Sequence, residues 1–551
     1  MKRLGYVGQH LQAHRWVRSL TGVEYGKVQT WGGHPDNEVR VLYRHLYCIS
    51  TNTNAQRDIA TASPCRYIDL PQTLVEPLLV RYATDHGFPI RFNTKLVAAE
   101  RDPSSGLVAC QVEDLTTSIK YIIKTRFLFG ADGGRSQVSR SFGFTLQKKP
   151  SQAAAVNVLF NADLEHLMRS RGAQLHWITR PDIKSRFGPA PLIRMVRPWS
   201  EWMMVLVIPG SSENVAKTMS PDDPELNAHI KTLIGDDTVD VKVLRVDGWF
   251  VRENVADKYS DGQDVFILGD AAHQHPPTHG LGSNTCIQDA YNLGWKAAYV
   301  SKGFAGPGLL DTFSVERQPV GASLVAEANE CFRESIAISD ALGLLAETAE
   351  EGSRQISELY EQTDEGTARR TRLWKALERK KREGHAMGLA MNQFYVSSAV
   401  YLDDETEPRP EIVGDHVTTM QISTYPGSRL PHAWIDVPAL HKEISTHDVA
   451  GKGSFTLIYG PRGQAWATAT ANIAIRTGIP LKSVGIGFGL EYHDVYRMWQ
   501  NIRGIEEDGC VLVRPDRFVA WRSKTMHPES EAKLATVLDR VLSREGLANG
   551  A

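Results

Sequence analysis

No stretch of this sequence is apolar for long enough to cross a bilayer: its longest runs, such as Trp202 to Ile208, fall far short of the roughly 20 residues a spanning helix needs. The start, Met1 to His10, lacks the apolar core of a secretion signal. Cysteine is scarce as well. Its six copies, Cys48, Cys65, Cys110, Cys286, Cys331 and Cys510, lie far apart with no CxxC and no zinc-like spacing, which suits a reducing compartment and a cytoplasmic location. Charge of one sign is missing too. The 62 Lys and Arg stand against 64 Asp and Glu, and a net charge of −2 gives no electrostatic footing for nucleic acid. What remains is ordinary globular composition, 42% hydrophobic and 23% charged over 551 residues. At roughly 150 residues per domain that allows three or four domains, with a small molecule as the expected partner and no membrane.

The pattern along the chain alternates between α and β signals. A helix is expected over Leu70 to Asp85, with Pro71 in its first turn, followed by strands at Phe92 to Ala98, Leu107 to Glu113 and Lys120 to Phe129. Further strands at Ala155 to Phe160, Leu175 to Thr179, Leu192 to Val196, Trp202 to Ile208 and Val239 to Trp249 predict a mainly antiparallel sheet inserted into another domain. Helices follow from about Val325 to Val400. The basic run Arg379-Lys380-Lys381-Arg382 within them reads as a solvated face, and Asp403 to Pro410 as a linker. The tail predicts strand Phe455 to Tyr459, helix Gly463 to Ile475, strand Leu481 to Ile486, strands Cys510 to Val513 and Phe518 to Trp521, and helix Glu529 to Leu542. That order is thioredoxin-like, but Cys510 is its only cysteine, so a structural or dimer-forming role is expected.

Two segments carry chemistry. The apolar Phe127 to Gly130 runs into Ala131-Asp132-Gly133-Gly134-Arg135-Ser136, where glycines permit a tight turn and Ser136 can cap the next helix. Asp132 and Arg135 at a strand's carboxyl end suit a nucleotide's hydroxyls and phosphates; the same hexapeptide also reads as a capped turn with a surface ion pair. In the second segment, the strand Val265 to Gly269 ends in Asp270, placed to accept hydrogen bonds from sugar-like hydroxyls. Small residues and Pro276-Pro277 come next, then Gly280-Leu281-Gly282 ahead of a helix from Asn284 to Val300. That helix start favours negative charge. His273, His275 and His279 have the residue type of a metal site but little ligand company, and no metal is expected. His279 either tunes substrate or oxygen contacts or fills space.

GADGGRS, then LGDAAHQHPPTHGLGSNTCIQDAYNLGWKAA, then LLDTFSVERQPV at Leu309 to Val320 resemble, in that order and separation, the two downstream FAD motifs of the flavoprotein aromatic hydroxylases, nearest the phenol monooxygenases. The resemblance runs from about Val17 to Ser523. It implies an α/β, multi-domain (α+β) chain with a Rossmann-like FAD/NAD(P)-binding domain, a substrate sheet and a thioredoxin-like tail. The implied boundaries are 1–150 and 256–330 for the FAD-binding parts, 151–255 for the substrate sheet, 331–410 for a helical segment and linker, and 411–551 for the tail. It implies that Gln72 contacts FAD, that Asp132 serves FAD and NADPH, that Asp270 holds the ribityl chain, and that Pro276, Gly280, Leu281, Gly282, Ser283 and Asn284 line the isoalloxazine. NAD(P)H and dioxygen are the implied co-substrates, a flavin hydroperoxide the implied oxidant, a phenol the implied substrate and a homodimer the implied assembly. The base that deprotonates the phenol is not legible. Trp177, Trp202 and Met204 are expected in the core or at the substrate pocket.

The family opens with a strand and a GxGxxG turn over the FAD pyrophosphate. MKRLGYVGQHLQAHRW resembles the family's segment just after that first βαβ unit, so the sequence reads as truncated at its N-terminus, through an upstream start or missed exon. The alternative is an inactive paralogue that binds small aromatics or pairs with an intact relative.

Overall fold

The middle of the chain, where apolar and polar residues alternate, forms the largest sheet of the computed structural model, which describes residues 13–29, 62–65, 70–188, 190–209, 219–438 and 442–546. Its eight strands run in the order His273–Gln274, Lys242–Ala256, Leu146–Asn161, Glu201–Pro209, Leu192–Arg197, Leu175–Ile178, Ala13–Val17, Glu24–Gln29. Every pairing is antiparallel except that of Ala13–Val17 with Leu175–Ile178. The sheet thus draws in residues well before Ala155 and reaches His273 itself. Val156, Val158, Phe160, Trp202, Met204 and Leu206 fill one face and are fully buried, each such side chain stabilising by about 1.5–3 kcal/mol.

The helix Pro224–Ile234 closes that core. Asp223 caps it by accepting from the Glu225 and Leu226 amides, Pro224 presets its first turn, and Gly235 ends it at φ 79°. Its Leu226, Ile230, Leu233 and Ile234, at helical spacing, are buried in the same cluster. Trp202 and Met204 are core side chains here, whereas Trp177 stacks on Trp16 with ring centroids 6.5 Å apart.

The expected single strand from Lys120 to Phe129 is two strands. Lys120–Thr125 stays with Val108–Asp114 and Thr94–Arg101 in an antiparallel sheet, while Leu128–Gly130 pairs in parallel with Val265–Ile267. This second pairing sets the two chemistry-bearing turns side by side, because each strand runs directly into one of them. Gly130 is required there: a Cβ would stand 2.8 Å from the Val138 Cβ. The helix Gln72–Asp85, by contrast, buries none of its residues and leaves Leu78, Leu79 and Tyr82 exposed.

In the tail, strands Leu481–Gly485, Phe455–Tyr459, Cys510–Val513 and Val519–Ser523 form a four-stranded mixed sheet with helices Gln464–Thr477 and Ser530–Val541. Trp466 and Trp521 meet edge to face inside it, 5.5 Å apart. Asp403 to Pro410 is no loose linker: Glu405 grips Arg522 through both oxygens at 2.7 and 2.8 Å, and Asp404 takes the Trp521 Nε1–H and Lys533. Among the described residues no helix is long and apolar enough to cross a membrane.

Candidate active site

The turns after the two parallel strands are fastened by one residue that the sequence did not single out. Gln274 Nε2 donates to the Gly134 carbonyl at 3.2 Å and the Asp270 carbonyl at 3.0 Å, while its Oε1 accepts from Arg252 Nη1 and Asn254 Nδ2, both at 2.9 Å. The Asp132 and Asp270 turns are therefore one surface, tied to the large sheet through Lys242–Ala256. Asp270 and Arg135 are on its open side, both exposed. Asp132 Oδ2 accepts from the Gln137 and Val138 amides at 2.6 and 3.1 Å, and Ser136 Oγ accepts from the Ser139 amide, so both residues cap the short helix Gln137–Ser141. The capped half of the capped-turn reading is thus seen, no ion pair joins Asp132 to Arg135 among the described residues, and the second Asp132 oxygen is free of these bonds. Gln72 opens an exposed helix, and among the described residues no hydrogen bond joins it to either turn.

The Asp270 turn is braced from behind. The carboxylate of Asp289, fully buried in the helix Gly282–Ser301, accepts from the Gly269 amide (3.1 Å), His273 Nε2 (2.9 Å) and Arg317 Nε (2.8 Å). Burial would raise the Asp289 pKa, but the His273 hydrogen bond and the Arg317 charge outweigh it and hold the carboxyl below its ordinary range. Gly269 adopts φ 61°, and a Cβ there would stand 3.1 Å from Cys286 Sγ. This arrangement uses His273 as a brace and not as a ligand, and His275 Nδ1 likewise donates to the Pro276 carbonyl at 2.6 Å.

The loop from Pro276 to Asn284 lies against the helix Gly308–Glu334, with Thr278 Oγ1 donating to the Ala328 carbonyl at 2.5 Å. Pro276 is buried, Leu281 and Gly282 are half-buried, and Gly280, Ser283 and Asn284 are exposed. Gly280 takes φ 65°, a conformation that glycine adopts without strain. Among the described residues no side chain caps the Gly282–Ser301 helix; Asn284 Nδ2 turns back to the Gly280 carbonyl at 3.0 Å. Its first amides are thus left for a negatively charged partner, and a Cβ on Gly282 would close the approach to within 3.4 Å of the His275 ring. An unpaired carboxylate for hydroxyls, an uncapped helix start for an anion and a glycine-lined approach between them fit a flavin's ribityl chain and ring.

Lys380 corrects the reading of the basic run as solvated. It lies on the face of the Asp364–Gly384 helix that also buries Leu373, Ala376, Leu377 and Glu383, and it pairs with Glu383 at 2.5 Å. Burial would raise Glu383, but Lys380 and then His14 bring it down to about 2. The signal for both residues was their place in an apolar helical stripe.

Comparison with known proteins agrees with this geometry. Residues 21–328 match the FAD binding domain family, and residues 423–544 match the aromatic-ring hydroxylase C-terminal family. The chain is 38% identical to a phenol 2-monooxygenase of Pseudomonas sp. (strain EST1001) over 95% of its own length and 80% of that protein's. It is 36% identical to a 2,4-dichlorophenol 6-monooxygenase of Delftia acidovorans over 96% of its length and 85% of that protein's. Among solved structures, the flavin-dependent monooxygenase PieE in complex with FAD and substrate superimposes with a TM-score of 0.86 at 34% identity, covering 98% of this chain and 88% of that one.

Proposed function

This chain belongs to the FAD-binding aromatic-ring hydroxylases, and from that premise we propose that it hydroxylates a phenol, taking two electrons from NAD(P)H and one oxygen atom from dioxygen. The overall balance is phenol, dioxygen, NAD(P)H and a proton giving the ring-hydroxylated product, NAD(P)⁺ and water. Bound FAD supplies the hydride acceptor and the oxygen-activating ring. The protein's residues supply placement. Asp270 would receive the ribityl hydroxyls, Asp132 and Arg135 would serve the nucleotide end, and the amides at the start of the Gly282–Ser301 helix would favour the negative charge of the reduced cofactor. Pro276, Gly280, Leu281, Gly282, Ser283 and Asn284 would line the ring, and Gln72 would contact the cofactor.

The observation that carries this reading is Gln274 bonded to both turns, which joins the turns that carry Asp132 and Asp270 although 138 positions of sequence separate these two residues. A phenol as substrate is supported by the names of the phenol and dichlorophenol monooxygenases among the relatives. The test is the visible spectrum of the purified chain before and after excess FAD and desalting. Retained flavin absorbance, with NAD(P)H oxidation stimulated by phenol, is the expected result; a colourless protein that takes up no FAD overturns the reading. Asp270→Ala should weaken FAD by roughly 10- to 100-fold, the worth of one charge-assisted hydrogen bond, with no loss of thermal stability because the carboxylate is exposed.

A further inference from the structure

His279 takes no part in bracing the two turns or in bedding the flavin. Its side chain is 1% exposed, its ring lies against the Glu383 backbone, and neither ring nitrogen makes a hydrogen bond of good geometry among the described residues. Its backbone sits at φ 63°, in the left-handed region that non-glycine residues seldom occupy and that persists where surrounding structure enforces it. An imidazole has a donor and an acceptor to satisfy, so a buried one with no more than one loose backbone contact is an unexplained polar group.

Charged and polar groups stand behind His279. Its amide points at Glu383 Oε1 at 3.4 Å, Glu383 pairs with Lys380, and Lys380 Nζ donates to Ser335 Oγ at 2.6 Å. Lys380 also lines a cavity with Trp16, Trp177, Thr179, Ser335 and Ser339. That cavity has about 40 Å³ open to a water-sized sphere, and one water needs roughly 10–15 Å³. Trp177 Nε1 and Thr179 Oγ1 are buried there with no partner among the described residues, so the cavity offers waters both room and hydrogen bonds.

We infer that His279 is the base that takes the proton from the substrate's ring hydroxyl. This rests on the function proposed above, which sets His279 in the loop beside the flavin. The O–H bond breaks, its electron pair stays on the oxygen as phenolate, and the proton bonds to an imidazole nitrogen; no redox partner is needed for this step. A ring activated in this way is the better nucleophile toward an electrophilic oxygen.

The charges facing His279 suit the role. Glu383 and Lys380 come from the Asp364–Gly384 helix, Glu327 from the Gly308–Glu334 helix, and His275 from the same loop. Burial depresses the His279 pKa and keeps the ring neutral and ready to accept, while Glu383 and Glu327 act in the opposite sense and stabilise the imidazolium once formed.

4-Nitrophenol, whose phenolate is coloured, is the probe. Bound to the FAD-loaded wild type, it should ionise at a pH about one unit or more below its free value. His279→Asn is the variant, because asparagine tolerates left-handed backbone. It should retain FAD and the probe, return the probe's ionisation toward the free value, and lower phenol-stimulated NAD(P)H oxidation about 10²-fold at neutral pH, with recovery as pH rises. Glu383→Gln combined with Lys380→Met, which removes both charges behind the ring together, should slow turnover less and leave the probe ionised. If H279N binds FAD and the probe but leaves the ionisation unchanged, the inference fails alone. If the wild type binds neither, the function proposed above fails and the inference with it.

Discussion

Two polar clusters are buried in this molecule and they are built differently. Around Glu316 every charge meets its counterpart: Arg514 grips both Glu316 oxygens at 2.6 and 2.8 Å and also holds Asp516, Lys296 Nζ lies 2.7 Å from Glu316, and Asn292 and Ser397 complete the shell. Around His279 the atoms nearest the loop are left open, and the ion pair behind them leads to a cavity. The first cluster spends its bonds on architecture, joining the Gly282–Ser301 and Gly308–Glu334 helices to the tail at Arg514–Asp516. The second keeps capacity for a molecule that arrives later. A buried polar group that is satisfied argues for structure, and one that is not argues for chemistry.

The largest expected effect breaks the first half of that comparison. Glu316→Ala leaves Arg514 and Lys296 buried without their carboxylate, and should cost about 3–5 kcal/mol in urea unfolding. If Glu316→Ala is neutral, the cluster does not hold the tail to the helices. Replacing Lys296, Glu316 and Arg514 together by apolar residues of similar size should cost far less than the single change, since it is the uncompensated charge that is expensive.

Acid separates the clusters by pH. Burial holds His14, His176, His275 and His447 down to about 4, against 6.5 when unfolded, and Glu383 lies at about 2 against 4.5. In each case the unfolded chain binds more protons across the interval, so stability rises with pH there. The histidine contribution is fully present above 6.5 and is lost as pH falls from 6.5 to 4; the Glu383 contribution is present above 4.5 and is lost down to 2. Glu316, held far lower by Arg514 and Lys296 despite its burial, should not titrate in either window. Melting temperature followed from about pH 8 to about pH 4 should therefore fall most steeply below the ordinary histidine range. A flat profile would mean that these histidines are not buried neutral.

Much of the fold could be read ahead because period and punctuation are local. The four-stranded sheet and the two long helices of the tail agree within about two residues with alternating apolar runs and turns such as Arg514-Pro515-Asp516, whereas the short strands Trp434–Val437 and Lys442–Ser445 and the short helices Thr446–Val449 and Met498–Ile502 gave no such signal. The Leu128–Gly130 strand was not separated from Lys120–Thr125, because what divides them is a partner 137 positions further on. Asp270 and the Pro276–Asn284 loop were legible from motif. Lys380 and Glu383 were missed because a run of four basic residues looks solvated until it is laid on the helix stripe of Leu373, Ala376 and Leu377. Asp289 left a similar trace, an acid sharing one helical face with Asn292 and Lys296. Gln274 left none, since its partners Gly134 and Arg252 are nowhere near it in sequence.

Gln274 gives the smallest expected effect and the finest test of the comparison, because it is fully bonded like the Glu316 cluster yet lies at the chemistry. Gln274→Leu removes the donor to Gly134 and Asp270 and the acceptor for Arg252 and Asn254, groups that water can partly reach from the open turns. The expected result is a melting temperature lowered by only about 2–4 °C and an FAD affinity lowered about tenfold, measured by flavin fluorescence titration. A double-mutant cycle with Asp270→Ala then decides what Gln274 does. If it positions the Asp270 turn, the two losses in FAD affinity should fall short of additive, because a misplaced turn has already forfeited the carboxylate's contact. Full additivity, or a loss of stability with unchanged affinity, would return Gln274 to the architectural cluster and leave the two turns to be joined by their strands alone.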